Sequence, residues 1–396
     1  MPIPSPFHER TAPLCTSWRW KDWAGYLAVS SFDVTHDREY FAFRESAGLI
    51  DVTPLYKYEV HGPDACRLLA RMMVRDVAKL RVGRVGYSCW CDDAGKVVDD
   101  GTVARLDDDY FRVTAADPTL HWLEALSRGL RVTIEDSTTR LAALALQGPT
   151  ARDILRAASD ADLDALKFFG VTRARLDGLE VWISRTGYTG DLGYEVWVEN
   201  AGALQLWDAL VAAGTPYGVT PAGLDALDVA RIEAGFVLFG VDYYSAPKVV
   251  VEARKSIPYE IGLGWTVHLD RAPFVGQAAL AAEKERGSGW ALVGLEVPWE
   301  ALEELYASFG LPPSLPGTAS RAGLPVYRDG VQVGKSTSQT WSPLLKKYVA
   351  LASVVAERAG VGETLELEHT VEFERRRVPA TVVATPFFDP ERKRKP

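Results

Sequence analysis

The sequence predicts an α+β protein of more than one domain that ends in a small β-barrel or β-sandwich. Its 396 residues are too many for a single hydrophobic core. Before residue 285, helical apolar spacing alternates with short apolar strands. From residue 285 onward the chain consists of short strands separated by turns, and that regular spacing is typical of a barrel or a sandwich.

The first α/β part is predicted from local patterns taken in order. The segment 37–44 has apolar residues at helical spacing, and Gly48 is suited to end that helix. The segment 141–146 is a short, fully apolar strand. The same reasoning predicts helices over 65–73, 121–130, from 151, 201–213 and 223–234, and strands over 49–52, 56–60, 85–91, 97–106, 110–114, 179–183, 194–198 and 261–269.

The remaining segments complete the expected domain organisation. Residues 1–35 are rich in Pro, Trp and Ser and are expected to form an ordered arm rather than a domain. The segment 389–396 is basic and is predicted to fray. The expected organisation is an arm over 1–35, an α/β region over 36–284, a barrel over 285–390 and a basic tail over 391–396.

Composition excludes several classes of protein. A net charge of -9 and a pI near 5.3 argue against broad nucleic-acid binding. The first residues carry no apolar signal core and no 18-residue apolar run occurs, so we expect a cytoplasmic protein with no membrane partner.

The four cysteines give no metal signature. Cys89 and Cys91 alternate along a predicted strand, so their thiols point to one face. A metal would need further ligands, and the six histidines show no pairing at ligand spacing. We therefore expect buried free thiols and no metal.

The hairpin over 184–196 is the strongest candidate for a ligand site. Gly187, Gly190 and Gly193 stand at three-residue spacing between two strands, which suits a tight turn that approaches a ligand closely. Tyr188 is then able to lie face-on to a flat ligand. Glu195 lies in an apolar strand, where an unpaired carboxylate is costly. The alternative is a decorated hairpin without a ligand.

Two further clusters carry candidate chemistry. Asp99 and Asp100 are adjacent in a strand and point to opposite faces, so one of them is expected to point inward and to need a partner. The alternative is a solvated bulge at Gly101. Tyr243 and Tyr244 leave a helix side by side, and we expect one of them to line a cavity.

Arg231, within the helix predicted over 223–234, is interpreted as a structural ion-pair residue.

Taken together, the chain resembles the tetrahydrofolate-dependent aminomethyltransferase family, which includes the T-protein of the glycine cleavage system and related folate-dependent demethylases. The resemblance covers roughly residues 36–390. It rests on AGLIDV (47–52), HGPDA (61–65), GKVVDD (95–100), LQGP (146–149), SRTGYTG (184–190), PAGL (221–224), RIEAG (231–235), GLGW (262–265), TS (337–338) and WSP (341–343). It implies a three-domain cloverleaf: two interleaved α/β domains around a folate channel, plus a C-terminal β-barrel.

The resemblance also implies the site residues. Glu195 would pair with the pterin edge, because one carboxylate accepts from an amino group and a ring N–H side by side. Asp100 would hold N5 of tetrahydrofolate and stabilise positive charge on the transferring carbon, or shuttle a proton. The other cofactor-binding residues that it implies are Tyr87, Thr102, Phe169, Tyr188 and Trp265.

Two departures from the T-protein pattern bear on the donor. Pro54, Leu55 and Tyr56 replace a His-Met-Gly sequence, and Leu227 replaces an Arg. Both positions lie near the site in the family, which makes Leu55, Tyr56 and Leu227 candidate substrate-pocket residues. The departures argue against a lipoyl-bound aminomethyl donor and against docking of a lipoylated carrier protein.

The sequence is therefore interpreted as a demethylase or methyltransferase that moves a methyl group from a small O-, S- or N-methylated donor to N5 of tetrahydrofolate. Tyr243 or Tyr244 would supply a proton to the leaving group. The alternative is a glycine cleavage aminomethyltransferase that forms 5,10-methylenetetrahydrofolate with a lipoylated carrier protein as partner. A lesser alternative is a non-catalytic folate-binding protein, but that branch carries a Lys-Gly-Cys motif, and 255–260 contains no Cys.

Overall fold

The computed structural model describes residues 1–395 and arranges them as three open β-sheets, a closed β-barrel and helices packed against them. The mixed α/β part precedes the barrel along the chain, as the sequence predicts. Pro396 lies outside the described residues.

A six-stranded sheet forms the centre of the first α/β unit. In spatial order its strands are Val171–Leu176, Leu179–Ser184, Gly193–Glu199, Leu141–Gln147, Ala47–Asp51 and Val219–Pro221. The last two pair in parallel, and the other neighbours are antiparallel.

Both faces of this sheet are covered by helices, which explains why its middle strand is apolar throughout. Helices Ala151–Ala158 and Ala203–Gly214 share an apolar core with Leu144 on one face. Helices Asp37–Glu45 and Leu224–Glu233 pack against Ala143 on the other.

A five-stranded sheet is inserted in the chain between two strands of the first sheet. Its order is Arg84–Cys91, Val97–Asp107, Tyr110–Ala115, Tyr56–His61 and Thr133–Asp136. Helices Ala65–Met72 and Leu120–Leu126 cover one face. The other face is turned toward the rest of the molecule. The first two strands of the sheet carry candidate site residues.

The C-terminal sheet closes into a barrel, so the structure supports the barrel rather than the sandwich. Around the barrel the strands are Trp290–Val297, Lys347–Val355, Val331–Ser342, Pro325–Arg328, Thr364–Val371 and Glu374–Val383. Helices Gln277–Arg286 and Trp299–Ala307 precede and follow the first barrel strand.

The N-terminal residues form a small sheet of their own. Tyr26–Ser31 lies between Ile3–Pro4 and Arg19–Trp23, and a short helix spans His8–Thr11. Arg19 and Lys21 bind the carboxylate of Asp225, so this sheet is tied to the helix Leu224–Glu233. The described 3₁₀ turns are Val77–Lys79, Asn200–Gly202, Thr215–Tyr217, Ala246–Lys248, Glu252–Arg254, Gly264–Thr266, Ala356–Arg358 and Glu391–Lys393.

Two local predictions are wrong, and a third gives the wrong end of a helix. The segment 261–269 is not a strand although its apolar residues alternate: Gly262 has a φ of 74° and the chain turns into the 3₁₀ helix Gly264–Thr266, so that its apolar side chains pack into an irregular core. The helix predicted over 121–130 ends at Leu126. The tail does not fray over 389–395, since Arg392 binds the buried carboxylate of Asp191. Pro396, the rest of that prediction, lies outside the described residues.

Candidate active site

The carboxylate of Asp100 is held by two tyrosines from different elements. Strand pairing places Asp100 opposite Cys89, beside Tyr87 on the neighbouring strand. The Tyr87 hydroxyl donates to Oδ2 of Asp100 at 2.5 Å, and the Tyr243 hydroxyl donates to Oδ1. Each carboxylate oxygen therefore accepts one phenolic hydrogen bond, which fixes the orientation of the group.

Burial sets the protonation of this group. It raises the pKa of Asp100, and the two hydroxyl donors oppose that rise because they favour the charged form. Burial and the nearby Asp100 charge raise the pKa values of Tyr87 and Tyr243 well above 10.0. Both phenols therefore remain protonated donors at neutral pH.

Asp99 is also part of this cluster. Its side chain is buried, and its carboxylate accepts from the backbone N–H groups of Asp100 at 2.8 Å and Asp117 at 2.9 Å. The Tyr243 hydroxyl lies 3.3 Å from Oδ1 of Asp99. The pairing of this strand is regular at Gly101, so a solvated bulge there is wrong.

Glu195 lines a cavity between the two α/β sheets. Oε2 of Glu195 accepts from the Thr186 hydroxyl at 2.8 Å, and the Ser184 hydroxyl lies 2.8 Å from that of Thr186. Burial raises the pKa of Glu195, while these hydroxyls counteract the rise. Trp182 and Val85 form part of the cavity wall.

Thr102 connects this cavity with Asp100. The two residues are two positions apart on one strand, so their side chains share a face. Thr102 lines the Glu195 cavity, and its hydroxyl lies 2.6 Å from that of Thr114. One face of this strand thus presents Asp100 to the two tyrosines and Thr102 to the Glu195 cavity.

Two glycines of the hairpin, Gly187 and Gly193, pack directly against the side chain of Gln147. A Cβ at Gly187 or Gly193 would lie within about 2 Å of the side chain of Gln147, which leaves no space for another residue there. Gln147 in turn donates to the carbonyl oxygen of Thr186 at 3.2 Å. This packing shapes the loop that carries Tyr188.

Three aromatic candidates lie around the cavity and the Asp100 cluster. Tyr188 stacks on Phe236 with ring centroids 5.6 Å apart. Trp265 is 60% exposed and stacks on Tyr87 at 6.0 Å. Phe169, with a φ of 57°, packs in the apolar cluster around Val85.

Models of known protein families match both the α/β part and the barrel of this chain. The family model for the GCVT N-terminal domain matches residues 7–271, and the model for the glycine cleavage T-protein C-terminal barrel domain matches residues 309–389. The chain belongs to the glycine cleavage T-protein family of aminomethyltransferases. It is a tetrahydrofolate-dependent transferase.

Individual relatives that match this chain are named aminomethyltransferase, in agreement with the family. An aminomethyltransferase from Halothermothrix orenii is 36% identical over 354 residues, which are 88% of this chain and 90% of the relative. One from Geobacillus thermodenitrificans is 38% identical over 360 residues, 88% and 89% of the two chains. The crystal structure of glycine cleavage system aminomethyltransferase T from Bartonella henselae shares the fold, with a TM-score of 0.83 over 98% of this chain and 99% of that one at 23% identity.

Among residues 1–395, the side chains bonded to the Asp100 carboxylate are Tyr87 and Tyr243, and the other candidates do not contribute a hydrogen bond to it. Tyr244 is 36% exposed, and of the adjacent pair it is Tyr243 that reaches the carboxylate. Tyr56 packs against the core of the five-stranded sheet, and Leu55 is half-buried beside it in sequence. Leu227 is buried in the apolar cluster around Tyr40.

Two interpretations of single residue types are confirmed. Arg231 pairs with Asp228 at 2.8 Å and Asp242 at 2.7 Å, as expected for a structural ion-pair residue. All four cysteines are free, and Cys15, Cys89 and Cys91 are buried as expected, whereas Cys66 is half-buried.

Residues 1–395 contain neither a cluster of metal-ligating side chains nor a membrane-spanning helix. No group of three or more His, Cys, Asp or Glu side chains in that range is arranged to hold a metal ion. No helix among them has the length and apolar character needed to cross a membrane.

Several polar residues of the cavity are not among the candidates that the sequence indicates. Ser184 and Thr186 support Glu195, and Thr114 supports Thr102. Alternation was the available signal, because Ser184 ends the strand before the hairpin loop and Thr186 follows it two positions later.

Proposed function

We propose that the protein is a glycine cleavage aminomethyltransferase. It transfers the methylene carbon of an aminomethyl group from a lipoylated carrier protein to tetrahydrofolate, which yields 5,10-methylenetetrahydrofolate, ammonia and the carrier in its dihydrolipoyl form. Relatives named aminomethyltransferase that align over about nine tenths of both chains support this reaction over methyl transfer. The observation that carries the proposal is the Asp100 carboxylate, fixed by two hydroxyls beside a cavity that Glu195 lines.

The cavity residues fit a reduced pterin. Glu195 keeps acceptor capacity beyond its bond from Thr186, since a carboxylate offers about four lone-pair sites. A pterin presents an amino group and a ring N–H side by side, which suits such an acceptor. Tetrahydrofolate supplies N5 as the nucleophile that accepts the one-carbon unit. In this proposal Glu195 orients the pterin and Tyr188, Phe169 and Trp265 enclose the channel of a three-domain cloverleaf.

Asp100 acts by position and charge. Its carboxylate is already oriented by Tyr87 and Tyr243, so it stabilises positive charge on the transferring carbon without reorganising. Its raised pKa also suits a group that exchanges a proton during the reaction.

A second candidate is methyl transfer from a small donor, and Leu227 favours it. The T-protein pattern has an arginine at this position, whereas this side chain is buried among apolar residues. Tyr243 supplies the acid that a phenolate or similar leaving group needs, because it is protonated and bonded to Asp100.

One experiment separates these functions. The protein is incubated with tetrahydrofolate and either aminomethyl-loaded lipoylated carrier protein or a panel of O-, S- and N-methyl compounds, and folate products are identified by mass. Carrier-dependent 5,10-methylenetetrahydrofolate supports the proposal, and 5-methyltetrahydrofolate from a small donor replaces it with the demethylase. Folate binding without either product leaves a non-catalytic binding protein.

Asp100→Asn is the matched negative control for both arms, since it keeps the size of the side chain and removes the charge.

A cytoplasmic location stays a prediction.

A further inference from the structure

We propose that residues 388–395, called the C-terminal clamp, hold the hairpin loop 185–193 in its folate-binding conformation, with Arg392 as the positioning residue. The inference rests on the proposed folate site, because it concerns the loop that carries Tyr188. The matched barrel domain ends at residue 389, so most of the clamp lies beyond it.

Arg392 holds one end of the loop. Its Nε and Nη2 donate to the two oxygens of Asp191, each at 2.7 Å. The Asp191 side chain is fully buried and has one other cationic neighbour, Arg44, at 3.6 Å. Removing Arg392 therefore leaves the buried carboxylate with the backbone N–H of Leu192 at 2.7 Å and the more distant Arg44, which favours a rearranged loop.

Arg185 holds the other end to the same few residues. Its guanidinium is buried and donates to the carbonyl oxygens of Arg392, Lys393 and Lys395. Since Arg185 and Asp191 flank Tyr188, the clamp restrains both sides of the segment that would contact the pterin.

Lys393 adds a third contact close to the proposed ligand. Its ammonium lies 5.1 Å from the ring centroid of Phe236, the ring that stacks on Tyr188. Phe388 begins the clamp by donating its N–H to the carbonyl oxygen of Glu233 at 2.9 Å. The clamp thus spans from the helix Leu224–Glu233 across the aromatic pair to the hairpin loop.

The test compares Arg392→Ala with Arg10→Ala in the full-length protein. Arg10 makes an equally short bidentate pair with Asp208, but that pair is exposed and distant from the loop in sequence. Binding of tetrahydrofolate is measured by calorimetry without oxygen, and backbone hydrogen exchange is measured over 185–193.

We expect Arg392→Ala to raise the Kd for tetrahydrofolate about tenfold, because a small misplacement of binding groups is costly, while kcat at saturating folate changes little. Exchange in the loop should accelerate, and Arg10→Ala should match the wild type in both measurements. Arg392→Lys should recover part of the affinity.

Equal Kd values and equal loop exchange in Arg392→Ala and Arg10→Ala would overturn the clamp. If Arg392→Ala does not fold, Arg392→Gln is judged by the same two measurements. A wild-type protein that does not bind tetrahydrofolate refutes the proposed function instead, and the exchange measurement then still decides whether the clamp restrains the loop.

Discussion

The hydroxyl of Tyr243 donates to Oδ1 of Asp100, although the two residues are 143 positions apart in the chain. The hydroxyl of Tyr87, on the strand beside that of Asp100, donates to the other carboxylate oxygen. The five-stranded sheet therefore provides the acid and one of its partners, while the segment after the helix Leu224–Glu233 provides the second partner. The geometry of the carboxylate depends on how these two parts of the chain pack together.

Replacing Tyr243 by Phe tests this relationship through the pH–rate profile. The Tyr243 hydroxyl lowers the pKa of Asp100 against the effect of burial, so its removal should raise that pKa further. Activity that needs the carboxylate is present above this pKa and lost as the pH falls through it. The acid limb of kcat against pH should therefore move to higher pH in Tyr243→Phe.

Tyr244→Phe is the control, because Tyr244 is exposed and leaves Asp100 untouched. An unchanged acid limb in Tyr243→Phe would show that the carboxylate does not govern the rate.

Replacing Asp100 by Asn should separate binding from turnover. The side chain keeps its size but loses the charge proposed to stabilise the transferring carbon, so kcat should fall about 100-fold or more. The Kd for tetrahydrofolate, measured by calorimetry, should stay within a few-fold of the wild type. Full activity in Asp100→Asn would remove its catalytic role.

Replacing Glu195 by Ala should have the opposite effect. Loss of a charged hydrogen-bond acceptor should raise the Kd for tetrahydrofolate about 10- to 100-fold. Glu180→Ala is the matched control, since Glu180 lies on the preceding strand and pairs with Arg173 on the surface. Unchanged folate affinity in Glu195→Ala would mean that the pterin binds elsewhere.

The sequence predicts those parts of the fold that local patterns determine. The barrel strands, the apolar strand Leu141–Gln147 and the central hairpin follow from alternation and turn residues within a few positions. For Asp99 and Asp100 the strand pattern predicts that one of the two acids points inward and needs a partner, and in the structure both carboxylates accept hydrogen bonds.

Contacts between distant segments were not predictable in this way. The tail was expected to fray because its composition is basic, yet Arg392 binds Asp191 across 201 residues of chain. Likewise, 261–269 is apolar enough for a strand but finds no partner strand and fills an irregular core instead. Neither outcome has a local signal, because it depends on residues that are distant in the chain: Asp191 for Arg392, and Val74 and Cys89 among the neighbours of 261–269.

Replacing Leu227 by Arg tests the departure from the T-protein pattern. The side chain is buried in an apolar cluster, so an arginine there should reduce the free energy of unfolding by about 2–4 kcal/mol. Leu227→Met, which conserves volume, should cost less than about 1.5 kcal/mol. Urea denaturation measures both, and a stable Leu227→Arg protein would show that this position opens onto a cavity.

Lys57 makes the free energy of unfolding depend on pH in the alkaline range. Its side chain is fully buried, and its ammonium donates to the carbonyl oxygens of Thr53 at 2.6 Å and Thr138 at 3.1 Å, which lie in the two segments that connect the α/β sheets. Burial lowers the pKa of Lys57 to about 8 from 10.5. Between these values the unfolded chain binds more protons than the folded one, so the contribution of Lys57 to the free energy of unfolding rises with pH.

The measurement is urea unfolding of the wild type and Lys57→Met at several pH values from 7.5 to 10. The stability of the wild type relative to Lys57→Met should increase over this range by up to about 3 kcal/mol, because roughly 1.4 kcal/mol accompanies each pKa unit. Lys347→Met, at an exposed lysine paired with Glu296, should show no such increase. A constant difference between wild type and Lys57→Met would mean that the buried ammonium keeps its ordinary pKa, with the two carbonyl bonds compensating fully for its loss of hydration.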